Sequence, residues 1–550
     1  MKTRVKKILI NLLITGVVGF VYFYAVLPPI NLHAREFYAF AGLVLVTYCV
    51  CTLVTSGPQV VTDAHGYIDF VKSQCRVPLI VAAALAVIFL IGGLLSLVIF
   101  RTGAYRSLID VRRGDFAADV AEISLDQIPM LDKDSAERLG DRKLGELSDM
   151  VSQFEVSNDY TQINYQDRPV RVTPLEYGDL IKWFNNRKGG LPAYMIIDMA
   201  TQAVEVVRLD EGIKYSPTEL FGRNLARYLR FQYPTFMFDE PVFEIDEAGH
   251  PYWVCPKLEM TIGLFGGRDI NGAVLVDAVT GECAYYKKDD VPNWVDRVYT
   301  AELIIEQYNY YGMYQNGYLN SIFGQKGVTV ATQGYNYIAQ DDDVYVYTGI
   351  TSVGGDQSNI GFILSNQRTK ETAYYSVAGA AEYSAAASAE GVVQHLNYKA
   401  TFPLLLNIAS QPTYFLSLKD NAQLVKMYAM VNVQQYQIVA TGTSVEECEK
   451  QYKELLAQNN ITPAETPREA TVTGRIHEIR TAVKNGNSYY YFALEGSENV
   501  FYSISAASDD AVVALDTGDT VKIVYHELDD KIIRGAYSVT LVKKGVRAAA

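Results

Sequence analysis

Two groups of carboxylates carry the residue types that site chemistry needs. Asp341-Asp342-Asp343, followed by Asp356, offers hard oxygen ligands of the kind Ca²⁺ takes on flexible loops. Their spacing departs from the EF-hand loop, and a solvated acidic hairpin turn is the plainer account. Phe238–Asp246 holds Asp239, Glu240, Glu244 and Asp246, and a carboxylate pair such as Asp239 and Glu244 could perform acid/base work on a glycan. Strand alternation places Glu244 and Asp246 on one polar face, which reads as solvent-facing. The six histidines are scattered: His250 sits at a Gly-His-Pro turn, while His395, His477 and His526 fall far apart, so neither zinc nor a triad is indicated. The six cysteines form no CxxC; Cys49 and Cys51 lie in an apolar run, Cys75 follows it, and Cys255, Cys283 and Cys448 lie downstream. A Cys255–Cys283 disulfide stays open beside the ordinary alternative of two unbonded thiols. With no GxSxG, no P-loop and no GxGxxG after a strand, no catalytic, cofactor-binding or metal-ligating residue is assigned.

The elements that would position such groups announce themselves by repetition. AVLVDAVTGECAYYK (Ala273–Lys287) is an alternating apolar run, then Asp277, Thr280, and a second run with paired tyrosines. YMIIDMATQAVEVV repeats it with Asp198 and Thr201, and GFILSNQRTKETAYYSV with Asn366 and Thr369. Asp and Asn cap tight turns through their side chains and β-rich flanks suit paired strands, so these read as three copies of one hairpin. Thr173-Pro174-Leu175-Glu176 and Ser216-Pro217-Thr218-Glu219 look like capping boxes, predicting helices over Pro174–Asn186 and Pro217–Phe231; Ser444 and Glu447 make a third, opening Ser444–Leu456. Further helices are expected over Pro292–Tyr311 and Ser388–Tyr398. FEIDEAGHPYWVCP resembles LLNIASQPTYFLSL, and AMVNVQQYQIVATG parallels the Asp277 hairpin. Helices and antiparallel hairpins in this order make an α+β body with an internal duplication, 169–328 and 329–460.

The apolar-Asp-x-x-Thr-Gly-Glu turn, best at Val274–Tyr286 and present in altered form at Ile196–Val207 and Ile363–Tyr375, resembles the PepSY type of module found in bacterial extracytoplasmic and membrane proteins. The third copy departs from it, with Asn366 for Asp and Lys370 for Gly. The resemblance implies a peptidase-inhibitory or regulatory binding role. After a linker containing Pro463 and Pro467, residues 468–545 offer five strand candidates, with Asn485-Gly486 as a hairpin turn and Ala506–Leu515 as an inserted helix. This order resembles an OB-type barrel. Tyr489–Phe492 could stack bases, but the acidic ALEGSEN that follows and the lack of a basic groove oppose it.

Segregated hydropathy adds the last element. Ile8–Leu27, Phe37–Thr55 and Val77–Phe100 are each long enough to cross a bilayer, making residues 1–100 a three-helix transmembrane region without a central ionisable group. Gly92-Gly93 suggests a close helix–helix contact. Lys2, Arg4, Lys6 and Lys7 favour a cytoplasmic N-terminus and extracytoplasmic modules; Lys72 and Arg76 agree, whereas Arg101, Arg106, Arg112 and Arg113 oppose it. Residues 101–168 read as a juxtamembrane helical connector, with Leu139, Leu144, Leu147 and Met150 on one face and Asp134 or Ser135 as cap. A net charge of −14 argues against nucleic acid. The expectation is a membrane-anchored, non-enzymatic binding or regulatory protein of the cell envelope, acting on an envelope protein such as a peptidase. The alternatives are a glycan or peptidoglycan hydrolase using paired carboxylates, and an accessory subunit of a membrane transport complex.

Overall fold

The computed structural model describes residues 2–56, 75–122, 128–340, 342–353, 358–459, 461, 469–484, 487–497, 500–506, 510–526 and 533–545. The chain divides into two compact units, Met1–Leu455 and Leu456–Ala550. The first begins with helices α1 (Lys2–Val26), α2 (Arg35–Ser56) and α3 (Arg76–Leu95), all long and apolar enough to cross a membrane. Asn11 donates to Thr52 Oγ1 at 3.3 Å, joining α1 to α2 and satisfying polar groups that lipid cannot. The Pro28–Ala34 turn and the end of α3 both meet the soluble body. The Ile30 N–H donates to the Pro234 carbonyl at 2.8 Å, and Ser96 Oγ accepts the N–H groups of Leu264 and Phe265, each at 2.9 Å. The body therefore lies at the end of α1 opposite Lys6 and Lys7. Gly92 differs from expectation: a Cβ there would lie 2.5 Å from Leu264, so this glycine admits a hairpin tip of the body rather than another helix.

Four sheets of the first unit share one plan. In each, a long strand pairs on one side with two short strands that precede it and on the other with the strand that follows it, which an Asx turn joins to the last. The long central strands are Arg168–Tyr177, Pro251–Ile262, Asp343–Ser352 and Gln411–Lys419. The short strands pairing with their first halves are Thr161–Tyr165, Val242–Ile245, Asn336–Gln340 and Leu404–Ile408. Helices α5 (Lys133–Gly145), α7 (Leu225–Gln232), α8 (Ala301–Met313) and α9 (Glu382–Val392) each precede one sheet. The first of these sheets begins before the expected boundary at 169, with its short strands at Phe154–Val156 and Thr161–Tyr165. The turns repeat atom for atom: one oxygen of Asp198, Asp277, Asn366 or Asn432 accepts the N–H groups of the residues two and three positions on. That satisfies donors the turn would leave bare, as Asx side chains do.

Neighbouring sheets bury shared apolar faces. Tyr194, Leu175, Phe243, Trp253 and Val276 form one core across the first two; Val254, Leu275, Ile304, Val346 and Ile363 form another across the second and third. The expected connector is not separate. After the short helix α4 (Val98–Arg106), Val111–Gly114 adds in parallel to the edge strand Thr372–Tyr375, and α5 opens the first sheet, capped by Asp132 rather than Asp134 or Ser135.

Tertiary bonds overrule several expected helices. Thr173–Glu176 lies within the strand Arg168–Tyr177, where the Thr173 hydroxyl donates to the Ser157 carbonyl; the following helix α6 is only Leu180–Asn186, capped by Asp179. Ser216 does accept the Glu219 N–H at 3.2 Å, but the helix itself starts at Leu225 under an Asn224 cap. Residues 292–299 stay irregular because the Asp296 and Arg297 N–H groups bond Glu244, and those of Val298 and Tyr299 bond the Gln367 carbonyl. α10 (Val445–Gln458) begins one residue after the expected Ser444, whose hydroxyl accepts the Glu447 N–H.

In the second unit, Glu469–Lys484, Asn487–Leu494, Phe501–Ser505, Thr520–His526 and Ile533–Lys543 pair in a closed circuit. The third and fifth strands pair in parallel and every other neighbouring pair is antiparallel, around Phe492, Ile504, Val521 and Ile523. Asp510–Ala514 is a short 3₁₀ turn; the Asn485-Gly486 turn and the Pro463–Pro467 linker lie outside the described residues.

Candidate functional site: a cavity where four hairpins converge

The starts of three of the short strands, and the approach to the fourth, line a cavity of about 490 Å³. Tyr160, Thr161 and Gln162 come from the first sheet, Pro241 and Val242 from the second, Tyr335 and Tyr337 from the third, and Phe402 from the approach to the fourth. Identical placement in each repeat is what brings them to one point. Arg171 enters from the first central strand, directly across the pair from Gln162, and Arg297 from the irregular segment before α8.

Several polar side chains on these walls carry a buried donor without an acceptor. Arg171 is 6% exposed and Gln162 5%. Arg171 reaches the Gln162 side-chain oxygen through Nη2 at 3.4 Å, but its Nε has no partner. Arg297 Nε, Gln162 Nε2 and the Tyr160 hydroxyl are also buried without one. Burial pushes the Arg171 guanidinium down from its ordinary value, nearby Arg297 adds to that, and Asp132 and Tyr337 partly counter it. The neighbouring carboxylate Asp132 is already bound, to Lys419 at 2.5 Å. Buried donors need acceptors; two guanidinium groups and an amide facing one space suit a ligand bearing oxygen acceptors and negative charge. Asp159 and Glu240, both exposed, stand at the rim.

Behind the cavity lies a pair of buried carboxyls. Glu244 is fully buried, with its two oxygens accepting the Asp296 N–H at 2.9 Å and the Arg297 N–H at 3.0 Å, which corrects its expected solvent-facing place. Asp296 Oδ2 accepts the Asn164 N–H at 2.7 Å, and its Oδ1 has no partner. Burial pushes Glu244 up to about 8, and burial together with Glu244 holds Asp296 well above its usual range. These bonds position Arg297: the residue beside the cavity is fixed through its own backbone by Glu244.

The other candidates are dispersed. Asp239 pairs with Arg268 at 3.3 Å, and with Glu244 sealed inside, the two do not line a common cleft. Asp246 accepts the N–H groups of Ala248 and His250, shaping its turn. Asp343 accepts Arg368 Nε and Nη2 at 2.7 Å each and Asn366 Nδ2 at 2.8 Å, so its oxygens are occupied by protein donors. Asp342 takes a left-handed turn conformation, while Asp341 and Asp356 lie outside the described residues. Among the described residues no cluster of three or more His, Cys, Asp or Glu could hold a metal ion. Cys255 and Cys283 are unbonded and flank opposite sides of the strand Gly266–Asp277, paired with Val274 and Val276. His250 meets Asp277 Oδ2 at 3.0 Å, a link between two turns that their separation in sequence conceals. Arg171 likewise gave no signal: in PVRVTP an alternating strand makes it look exposed. A scan against protein-family models and a search of the curated proteins each returned no match to this chain.

Proposed function

We propose that the chain is a membrane-anchored, extracytoplasmic binding or regulatory protein of the envelope, without catalysis of its own, whose partner is another envelope protein such as a peptidase. The observation that carries the reading is the cavity lined by all four like sheets, whose buried donors offer recognition chemistry. The turn motif at Asp198, Asp277, Asn366 and Asn432, together with a helix ahead of each sheet, supports a PepSY-like ancestry for all four. The circuit order of the C-terminal strands, with its parallel pairing of the third and fifth, supports an OB-type barrel. Lys2, Arg4, Lys6 and Lys7 favour a cytoplasmic N-terminus, which puts the body outside.

The test is affinity capture of the full-length chain from solubilised membranes with its native lipids, combined with protease treatment of intact cells. A stoichiometric envelope partner and a cleavable body are expected. Repeated capture of the chain alone, or a body protected until the cells are broken, overturns the reading.

A further inference from the structure

Resting on the binding role above, we infer that the central cavity takes the free carboxylate end of a peptide, held by Arg171 and Arg297. Three side chains on its wall each carry a buried donor without an acceptor: Arg171 at Nε, Arg297 at Nε and Gln162 at Nε2. A carboxylate supplies several acceptor positions in one plane, which matches guanidinium geometry better than water or a neutral carbonyl does. The space of about 490 Å³ exceeds the need of a small ion and falls in the range of sites that hold small organic ligands. Its remaining walls include Pro241, Val242, Tyr335 and Phe402, surfaces suited to apolar and amide-bearing residues. Asp159 and Glu240 at the rim repel a ligand carrying several negative charges, which disfavours phosphorylated or polyanionic ligands.

The experiment uses the full-length chain in detergent micelles and a pooled library of N-acetyl dipeptides, once as free acids and once as C-terminal amides. Retention is read by equilibrium dialysis with mass spectrometry. Particular acids should be retained, their amides at least tenfold less, and Arg171→Gln and Arg297→Gln should each weaken retention at least tenfold. Arg297 is half-buried, so its variant keeps the test meaningful if Arg171→Gln misfolds; a retained melting transition identifies a folded variant. Equal retention of acids and amides, no retention of either, or displacement of nothing but inorganic phosphate overturns the assignment. Partner capture separates the two ideas: a partner recovered equally by the native chain and Arg297→Gln, with no dipeptide retained, removes the cavity assignment and leaves the binding role. Loss of both removes both.

A different observation carries a second inference. Leu180, Ile181 and Phe184 on α6 are 70%, 73% and 59% exposed, and Phe221 beside them is 65% exposed. Single exposed apolar residues are ordinary, but four clustered large ones mark an interaction surface. Their place identifies the occupant. Arg227 bonds both the Phe221 carbonyl, at 2.9 Å, and the Tyr24 carbonyl at the outer end of α1, at 3.3 Å, and Phe231 packs edge-on against Phe23. The patch is thus continuous with the end of a membrane span, and Lys182 on α6 and Arg187 just past its end suit lipid headgroups. We infer that α6 and Phe221 rest in the lipid interface. A nitroxide attached at Ile181→Cys in vesicles of neutral and anionic phospholipid should collide more often with oxygen than with a water-soluble nickel chelate. The reverse preference overturns the inference.

Discussion

Glu244 and Asp296 make the body sensitive to pH through two carboxyls that water does not reach. A carboxyl that keeps its proton in the folded chain and loses it in the unfolded one stabilises the fold fully below its unfolded pKa, here 4.5 for Glu244, and that contribution disappears as pH climbs through about 8. The melting temperature of the native chain should therefore fall between pH 5 and pH 8. Asp296→Asn removes the like-charged neighbour while keeping an oxygen for the Asn164 N–H, so it should flatten that fall and melt higher than native at pH 8. Thermal melts of both proteins across the range check this, and equal slopes contradict it. Neither residue was legible as buried. In VFEIDE, Glu244 alternates with apolar residues as an exposed strand residue does; what seals it is the 292–299 segment, which folds back from about fifty residues away to offer two N–H groups. Long-range donors of that kind leave no local trace.

At the scale of the elements, the Asx turn is the unit that sequence reads best, because its geometry is specified by one side chain and its two nearest N–H neighbours. Replacing Asp277 with Ala should cost about 1–3 kcal/mol by stripping acceptors from partly buried donors. Asp277→Asn should cost much less, since Asn366 and Asn432 bond the same two N–H groups in their own turns. Chemical denaturation of the solubilised chain ranks the two variants; an Asn as costly as Ala would show that the His250 contact, not the turn, dominates. The fourth turn was the hardest to align, for a visible reason: Asn432 to Val439 is one residue longer than Asp277 to Cys283. Helix starts were read less well than turns. The Thr173 hydroxyl and Glu176 satisfy a capping pattern locally, but β-rich neighbours on both sides claim that backbone for a sheet. Pattern fixes which groups can cap; only the competing strands decide whether they do.

At the scale of the molecule, the C-terminal unit has its own closed strand circuit and its own core of Phe492, Ile504, Val521 and Ile523. A fragment spanning 456–550 should fold alone and melt in one cooperative transition by circular dichroism; a featureless melt would show that it needs the rest of the chain. The first unit offers no such clean cut, because its sheets share cores in pairs and its third sheet borrows Val111–Gly114. The tip Gly263–Phe265 sharpens the point. Leu264 fills the space above Gly92, Phe265 lies against Tyr38 and Phe89, and Gly263 bends with φ +63 where a Cβ would strike Ser96. A preparation that deletes the anchor to gain solubility would therefore leave a greasy, two-residue plug without its socket. Such a fragment should clump through that plug, and replacing Leu264 and Phe265 with Ser should restore a single species in light scattering. The spans are as much a packing partner of the body as a tether for it.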